Sequence, residues 1–312
     1  MKKLFALIAV ILTFLFISGC TLISDVGNIL TSFKGLNSAD LLSESLSPDE
    51  TYSLAGANGE GFSIFFIDVG QADSAVVMCD GESMLVDGGN RTDSSRVVSV
   101  LRKLGISHIK AVVCSHAHED HVGGLAGPLS VFAVDSVFAP KEKADTKAYM
   151  NFIKAVEKKN ITIQNPSFGE KMYVGSALVT FITPAEFKQT GNINLNNTSL
   201  VIKIEYGDTS LLLTGDAEKE IEDAIIETGV DLSANLLKVA HHGSENSTSY
   251  RFLREVMPEY AIISVGKDNS YGHPSEAVLS RLSDADSVVM RTDLLGDIAV
   301  TSDGNKLSVS DY

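Results

Sequence analysis

From residue 61 onward the chain alternates short runs of β-branched and aromatic residues with stretches of helical period. Residues 62–68, 74–79 and 83–87 read as strands joined by tight turns such as Cys79-Asp80-Gly81-Glu82. A helix is predicted over 94–104, and a strand follows over 109–114. A second series repeats the arrangement, with strands at 177–182, 199–206 and 209–214, a helix near 218–227 and a strand at 235–240. Further strands are predicted at 260–265, 287–291, 297–301 and 306–310, with a helix after Pro274. Two mixed sheets packed face to face, with helices outside, accommodate this order, an α/β sandwich of four layers, αββα. Working residues are then expected on loops along one edge of the sheets, where a rigid scaffold positions them.

The first twenty residues follow another pattern. Lys2 and Lys3 precede an apolar run from Leu4 to Ile17 broken only by Thr13, and Ser18-Gly19-Cys20 closes it. This is the layout of a secretory signal, and the run is too short for an ordinary spanning helix. The small-small-Cys end resembles a bacterial lipoprotein signal, which implies cleavage before Cys20 and lipidation of that cysteine. The chain therefore reads as a signal peptide over 1–19, a flexible tether rich in Ser, Leu, Asp and Gly over 20–60, and one folded domain over 61–312. Its expected place is the extracytoplasmic face of the cell membrane, held by lipid at Cys20.

Composition narrows the chemistry. Apolar residues make up 44% of the 312, enough for a sizeable core. The formal net charge is −15, and loss of Lys2 and Lys3 with the leader takes it to −17. Such a surface repels polyanions at long range and lacks the basic face of a processive nucleic-acid binder. Three widely spaced cysteines offer neither a disulfide framework nor a paired zinc motif. Cys79 and Cys114, at the ends of apolar runs, read as small buried residues. Metal ligands must come from elsewhere.

The densest chemical signal is Ser115-His116-Ala117-His118-Glu119-Asp120-His121-Val122-Gly123-Gly124, directly after an apolar β run. Three histidines and two carboxylates in six positions make a poor core, because each buried polar group needs a partner. On a loop they converge on a cation, and imidazole nitrogen with carboxylate oxygen suits zinc and its neighbours.

The signature H-x-H-x-D-H after a strand resembles the metallo-β-lactamase superfamily. The resemblance implies the four-layer metallo-β-lactamase sandwich, with His116 and His118 on one metal and Asp120 and His121 on a second. It also implies that Asp87, in Leu85-Val86-Asp87-Gly88-Gly89, supports the metal loop through hydrogen bonds. Asp216, in Leu213-Thr214-Gly215-Asp216, would bridge the two cations, and one histidine of Ala240-His241-His242-Gly243-Ser244 would complete the second metal. His242 is favoured, with His241 close behind. Neighbours on an extended chain point to opposite sides, so one is expected as ligand and the other either behind the ligands or on the substrate. The third histidine of the first metal has no counterpart, since no histidine lies between His121 and His241. Asn197 falls near that place and would be a weak ligand through its amide oxygen.

Six motifs in order narrow the resemblance further. F-x-D-V-G-Q-x-D-S (66–74), S-H-x-H-x-D-H, N-N-x-S-L-V (196–201), L-T-G-D, H-H-G-S and S-V-G-x-x-N-x-Y-G-H-P (264–274) are similar to the C-terminal hydrolase domain of ComEC-type DNA-uptake proteins. The resemblance covers nearly everything after residue 61 and implies one or two zinc ions, or manganese, acting on a phosphodiester, with DNA among the candidates. Asp68, Gln71 and Asp73, on the turn after the first strand, are expected to border the site. His273 is a candidate for contact with a phosphate oxygen or leaving group, and His108 is assigned no function. Asp120 would orient a metal-activated water, with His241 or His273 stabilising the developing charge. Competing readings are a hydrolase of another ester, a thioester or a lactam, and a surface binding protein on a metal-binding fold. No protein partner is identifiable from the sequence.

Overall fold

The computed structural model describes residues 52–184 and 193–312. The leader, Cys20 and the tether up to residue 51 lie outside the described residues.

The predicted sandwich is observed as two mixed sheets. The first is built from β1 (Phe62–Phe66), β2 (Ala75–Cys79), β3 (Glu82–Val86), β4 (His108–Val113), β5 (Ala133–Phe138) and β6 (Ile163–Gln164). The second takes β7 (Lys171–Val174), β8 (Ala177–Phe181), β9 (Ile202–Tyr206), β10 (Thr209–Leu213), β11 (Leu236–Lys238), β12 (Tyr260–Ile263) and β13 (Val288–Arg291). The chain then returns to the first sheet with β14 (Ile298–Ser302) and β15 (Leu307–Asp311). The sheet orders are β15-β14-β1-β2-β3-β4-β5-β6 and β13-β12-β11-β10-β9-β8-β7.

Each sheet is covered on both faces, which is why its central strands are apolar at successive positions rather than alternating. Phe62, Ile64 and Phe66 of β1 point into the space between the sheets, against Ile202, Leu211 and Ile262 of the other layer. Phe65, on the opposite face, packs outward with Val97 and Leu101 of α1 (Ser94–Lys103). Beyond the second sheet, Leu212, Leu237 and Ala261 meet Ile221 and Ile225 of a helix at Lys219–Glu227 and Val278 and Leu282 of another at Glu276–Asp284.

Several elements were absent from the expectation. Among them are β5, β6, β7 and the helices Lys147–Lys158 and Tyr250–Val256. Only the last two residues of β5 are buried, and its A-V-D-S-V-F carries residues that strands disfavour. The Lys147–Lys158 helix was legible, since Ala148, Tyr149, Phe152 and Val156 fall on one buried face at helical spacing.

Residues 52–60, expected as the end of a tether, lie within the described fold. From Tyr52 the chain lies on the domain: Tyr52 N donates to the Lys103 carbonyl at 2.9 Å, and its ring sits 5.3 Å from that of Phe65. A lone aromatic in a Ser- and Gly-rich stretch reads as spacer until the groove that receives it is known.

Parallel pairing sets the working edge. β3 runs parallel to β4, and β10, β11 and β12 run parallel to one another, so within each sheet these carboxyl ends open onto the same edge. Loops leaving such ends form the crevice where open α/β sheets bind ligands.

Candidate metal centre

The cluster is assembled from five strand ends. β4 leads into Ser115 to His121, β3 into Asp87, β10 into Asp216, β11 into His241 and His242, and the β1–β2 turn supplies Asp73. Gly124 sits so close to Gly88 that a Cβ there would fall 1.9 Å from the Gly88 carbonyl oxygen. Only glycine lets the two loops meet.

Two donor groups share Asp216. His116, His118 and Asp216 form one; Asp120, His121, Asp216 and His242 form the other, with ligand atoms in each group within 4.8 Å of one another. In the first, His116 Nε2 lies 3.0 Å from His118 Nδ1 and 3.8 Å from Asp216 Oδ2. In the second, His121 Nε2 faces Asp216 Oδ1 at 3.2 Å and His242 Nε2 faces Asp120 Oδ2 at 3.3 Å.

The supporting bonds decide which nitrogens face inward. His121 Nδ1 donates to Asp87 Oδ2 at 2.8 Å and His242 Nδ1 donates to the Ser264 carbonyl at 2.9 Å. Asp87 also accepts from the Ser115 amide and hydroxyl, at 2.7 and 2.6 Å. Engaging each Nδ1 proton leaves the Nε2 lone pair for a cation, the usual support of a metal-bound imidazole. His121 Nε2 and Asp216 Oδ1 are both buried without a hydrogen-bond partner. Two facing acceptors repel unless a proton or a cation lies between them. The residues present therefore fit divalent cations, with Asp216 a donor common to both groups.

The electrostatics agree. Burial disfavours charge on His121, but the carboxylates of Asp216, Asp87 and Asp120 outweigh it and push the imidazole well above its ordinary pKa. His242 is likewise pushed up to about 10 by Asp216 and Asp73 against the penalty of burial. His116 goes the other way, held well below the usual range by burial and by the neighbouring His121. Against burial, His121 and His242 hold Asp216 well below the carboxylate range, and His121 with the hydrogen bond from His242 lowers Asp120. In the cluster as it stands, the raised imidazoles of His121 and His242 supply the positive charge that offsets the carboxylates.

Sequence reasoning overlooked one cation that the fold itself supplies. Lys238, the last residue of β11, is buried and its Nζ lies 2.8 Å from Asp73 Oδ2. Asp73, Asp87 and His121 make a third potential donor group, and the ammonium of Lys238 sits against it. Asp73 in turn lies 3.3 Å from His242 Nδ1. Lys238 lies in Leu237-Lys238-Val239-Ala240-His241-His242, and a lysine inside an apolar strand was the signal available.

Three expectations change. Asp68 does not face the cluster: its amide donates to Asp297 Oδ1 at 2.7 Å, its Oδ1 accepts from the Gly70 amide, and Arg96 Nε donates to its carbonyl. It closes the turn, while Gln71 lines the cleft and Asp73 lies beneath it.

Asn197 is not at the place of the missing ligand either. Its Oδ1 accepts from the Glu218 amide at 3.1 Å and its Nδ2 donates to Glu220. Asn196 lines the cleft instead, donating to Glu218 Oε1 at 2.9 Å, with a buried Oδ1 that has no partner. Both residues stand on a 3₁₀ turn, Leu195–Thr198, where successive side chains diverge by about a third of a turn.

His241 and His242 do not alternate as on a strand. Both adopt left-handed backbone, φ 52° in each case, and both open into the cleft. Two successive non-glycine residues there cost on the order of 1–3 kcal/mol each, strain of a kind that concentrates at functional sites. His242 joins the buried donor group. His241, on the rim, keeps its Nε2 3.8 Å from Asp216 Oδ2.

The cleft above the cluster is lined by Gln71, His118, Asn196, His241, Tyr271 and His273, among others. His273 is half-buried, and burial together with His241 and His242 lowers its pKa. Away from it, His108 pairs with Asp135 at 2.7 Å on the surface, and Cys79 and Cys114 are buried free thiols.

Comparison with known proteins gives the family. The chain is 30% identical over 265 residues to ComE operon protein 3 of Bacillus subtilis, covering 79% of this chain and 33% of that protein. It is 30% identical over 231 residues to Competence protein ComA of Neisseria gonorrhoeae, covering 73% and 30%. It thus spans about a third of the length of these curated relatives. Among solved structures, the metallo-beta-lactamase fold protein YhfI of Bacillus subtilis aligns with a TM-score of 0.50 at 14% identity, over 80% of this chain and 100% of that one. CmlA, a diiron beta-hydroxylase from Streptomyces venezuelae, aligns with a TM-score of 0.51 at 14% identity, over 81% and 54%. At that identity the two structures speak for the fold alone. The metallo-beta-lactamase superfamily matches residues 67–267, which span the turn after β1, both donor groups and both adjacent histidines. The chain belongs to the metallo-beta-lactamase superfamily.

Proposed function

We propose that the chain is an exported, lipid-anchored phosphodiesterase or nuclease that works with one or two divalent cations, zinc or manganese. The observation that carries this reading is the Asp216 carboxylate shared by two donor groups at the floor of an open cleft. Divalent cations held by these residues would acidify water and neutralise charge that develops on phosphoryl oxygens. Asp120, still 31% exposed while the rest of its group is buried, can reach substrate-side water, orient it and take its proton. Gln71 Nε2 lies 3.4 Å from His273 Nδ1 and donates to it, which leaves the His273 Nε2 proton for a phosphoryl or departing oxygen. With its pKa lowered, His273 acts near neutrality as a neutral donor. His241, edge to face with His273 at 5.6 Å between ring centroids, is a second group on the substrate side. No side chain attacks phosphorus, so the water oxygen forms the new bond as the ester oxygen departs.

A nucleic-acid strand is favoured by the relatives named for competence and by Recombination protein 2 of Haemophilus influenzae, 27% identical over 248 residues. The net charge of −15 favours a short or single-stranded substrate over a long duplex. Ser18-Gly19-Cys20 supports the anchor.

The test is the full chain, loaded in turn with zinc and manganese, offered bis-p-nitrophenyl phosphate and a single-stranded oligonucleotide. Hydrolysis abolished by His116→Ala and by Asp216→Ala is expected. Cation binding without cleavage of either diester refutes the enzyme, and a wild type without an acyl label that Cys20→Ala removes refutes the anchor.

A further inference from the structure

Tyr271 stands at the mouth of the cleft with 70% of its surface exposed, an unusual placement for an aromatic ring beside a buried charge cluster. On one side the ring meets the His273 imidazole in an offset stack, 5.7 Å between centroids and 26° between planes. His273 meets His241 edge to face at 5.6 Å, so three rings step from the mouth down to the metal donors. With 70% of the residue exposed, the ring's other face is open to solvent among the described residues.

The loop that presents the ring is pinned. Asn269 Oδ1 accepts from the amides of Tyr271 and His273, both at 3.1 Å. Its Nδ2 donates to the carbonyls of Gly266 and His273, at 3.0 and 2.6 Å. Gln71 clamps the base of the loop by accepting from the Gly266 amide, and a Cβ at Gly266 would fall 2.6 Å from the Gln71 nitrogen. A ring held this way loses little freedom when a second ring settles on it.

We propose that the free face of Tyr271 is a stacking platform for a nucleobase next to the scissile diester, so that the site takes nucleotidic, single-stranded diesters in preference to baseless ones. This rests on the diesterase reading above. A quaternary ammonium headgroup is recognised by a cage of several aromatic faces, whereas one flat free face suits one flat ring. Charge supplies little attraction for a strand here, since Glu119 and Glu218 flank the cleft in a chain of net charge −15. Stacking, which is uncharged and tolerant of sequence, provides affinity that phosphate contacts cannot.

The experiment compares the metal-loaded full chain with Tyr271→Phe and Tyr271→Ala on two labelled oligomers, one of thymidylate and one with abasic residues in place of the nucleosides. KM and kcat are read from cleavage, binding from fluorescence anisotropy, and bound metal from elemental analysis. The wild type is expected to favour the thymidylate oligomer about tenfold, chiefly in KM. Tyr271→Phe should keep that preference and Tyr271→Ala should lose it, with metal content equal in all three. Equal use of the two oligomers by the wild type, or an unchanged preference in Tyr271→Ala, overturns the platform and leaves the diesterase standing. Hydrolysis of bis-p-nitrophenyl phosphate with neither oligomer bound or cut also overturns it. If no diester of any kind is cleaved, the platform and the diesterase fall together.

Discussion

Replacing Lys238 with methionine keeps an unbranched side chain of similar length but deletes the only Lys or Arg charge paired with the cluster of Asp73, Asp87, Asp120 and Asp216 among the described residues. Lys238 and Asp73 have side-chain exposures of 6% and 7%, so water screens little of the loss. Breaking a buried pair by removing one partner costs on the order of 3–5 kcal/mol, because the other charge stays behind without compensation. In the metal-free protein the raised imidazoles of His121 and His242 relieve part of this, so the lower end applies there. About 3 kcal/mol shifts the unfolding midpoint of a domain this size by roughly 6–12 °C. The assay is thermal and urea unfolding of wild type, Lys238→Met, Asp73→Asn and the double variant, each with and without cation. Removing both partners should recover more than about 1 kcal/mol of the two separate losses. If Lys238→Met unfolds within about 0.5 kcal/mol of wild type, or the two losses simply add, the buried pair does not support this cluster.

Other tests follow from the same geometry. Asp87→Asn weakens the acceptor that holds His121 Nδ1, and cation affinity should fall about 10–100-fold in a competitive chelator titration; unchanged affinity would remove Asp87 from that role. Because His121 and His242 have raised pKa values in the metal-free cluster, cation binding at pH 7 should release protons and tighten as pH rises. Calorimetry in buffers of different ionisation enthalpy reads this directly, and no buffer dependence would contradict it. The same sign governs stability: a pKa raised from 6.5 to about 10 stabilises the metal-free fold fully below pH 6.5 and loses that contribution as pH climbs toward 10. The chelated protein should therefore melt progressively lower from pH 7 to 10, while the loaded protein should be flatter. Finally, Asn196→Ala should alter cation affinity or KM, whereas Asn197→Ala should cost only about 1 kcal/mol of stability through its lost hydrogen bonds. The reverse pattern would return Asn197 to the cleft.

The metal loop was legible because H-x-H-x-D-H packs its donors into six consecutive positions, and local spacing survives whatever the rest of the chain does. Strands with both faces covered were legible for a similar reason, since β1 and β2 are nearly all apolar and β10 ends in Leu211-Leu212-Leu213. Sequence also indicated Asp216 and the pair His241-His242, each closing an apolar run. It could not decide how those residues point. Direction depends on backbone that only the packed fold imposes: the left-handed turn that opens both histidines into the cleft, and the 3₁₀ turn that offers Asn196 and withdraws Asn197. Pairings across long separations were equally out of reach. Lys238 meets Asp73 and Asp68 meets Asp297 because parallel strands and the return of β14 place them side by side, and no local pattern encodes such a meeting. The sequence by itself determined which groups could hold a cation. The tertiary structure decided which of them face one another, because burial leaves each polar atom only the partners that packing brings within reach.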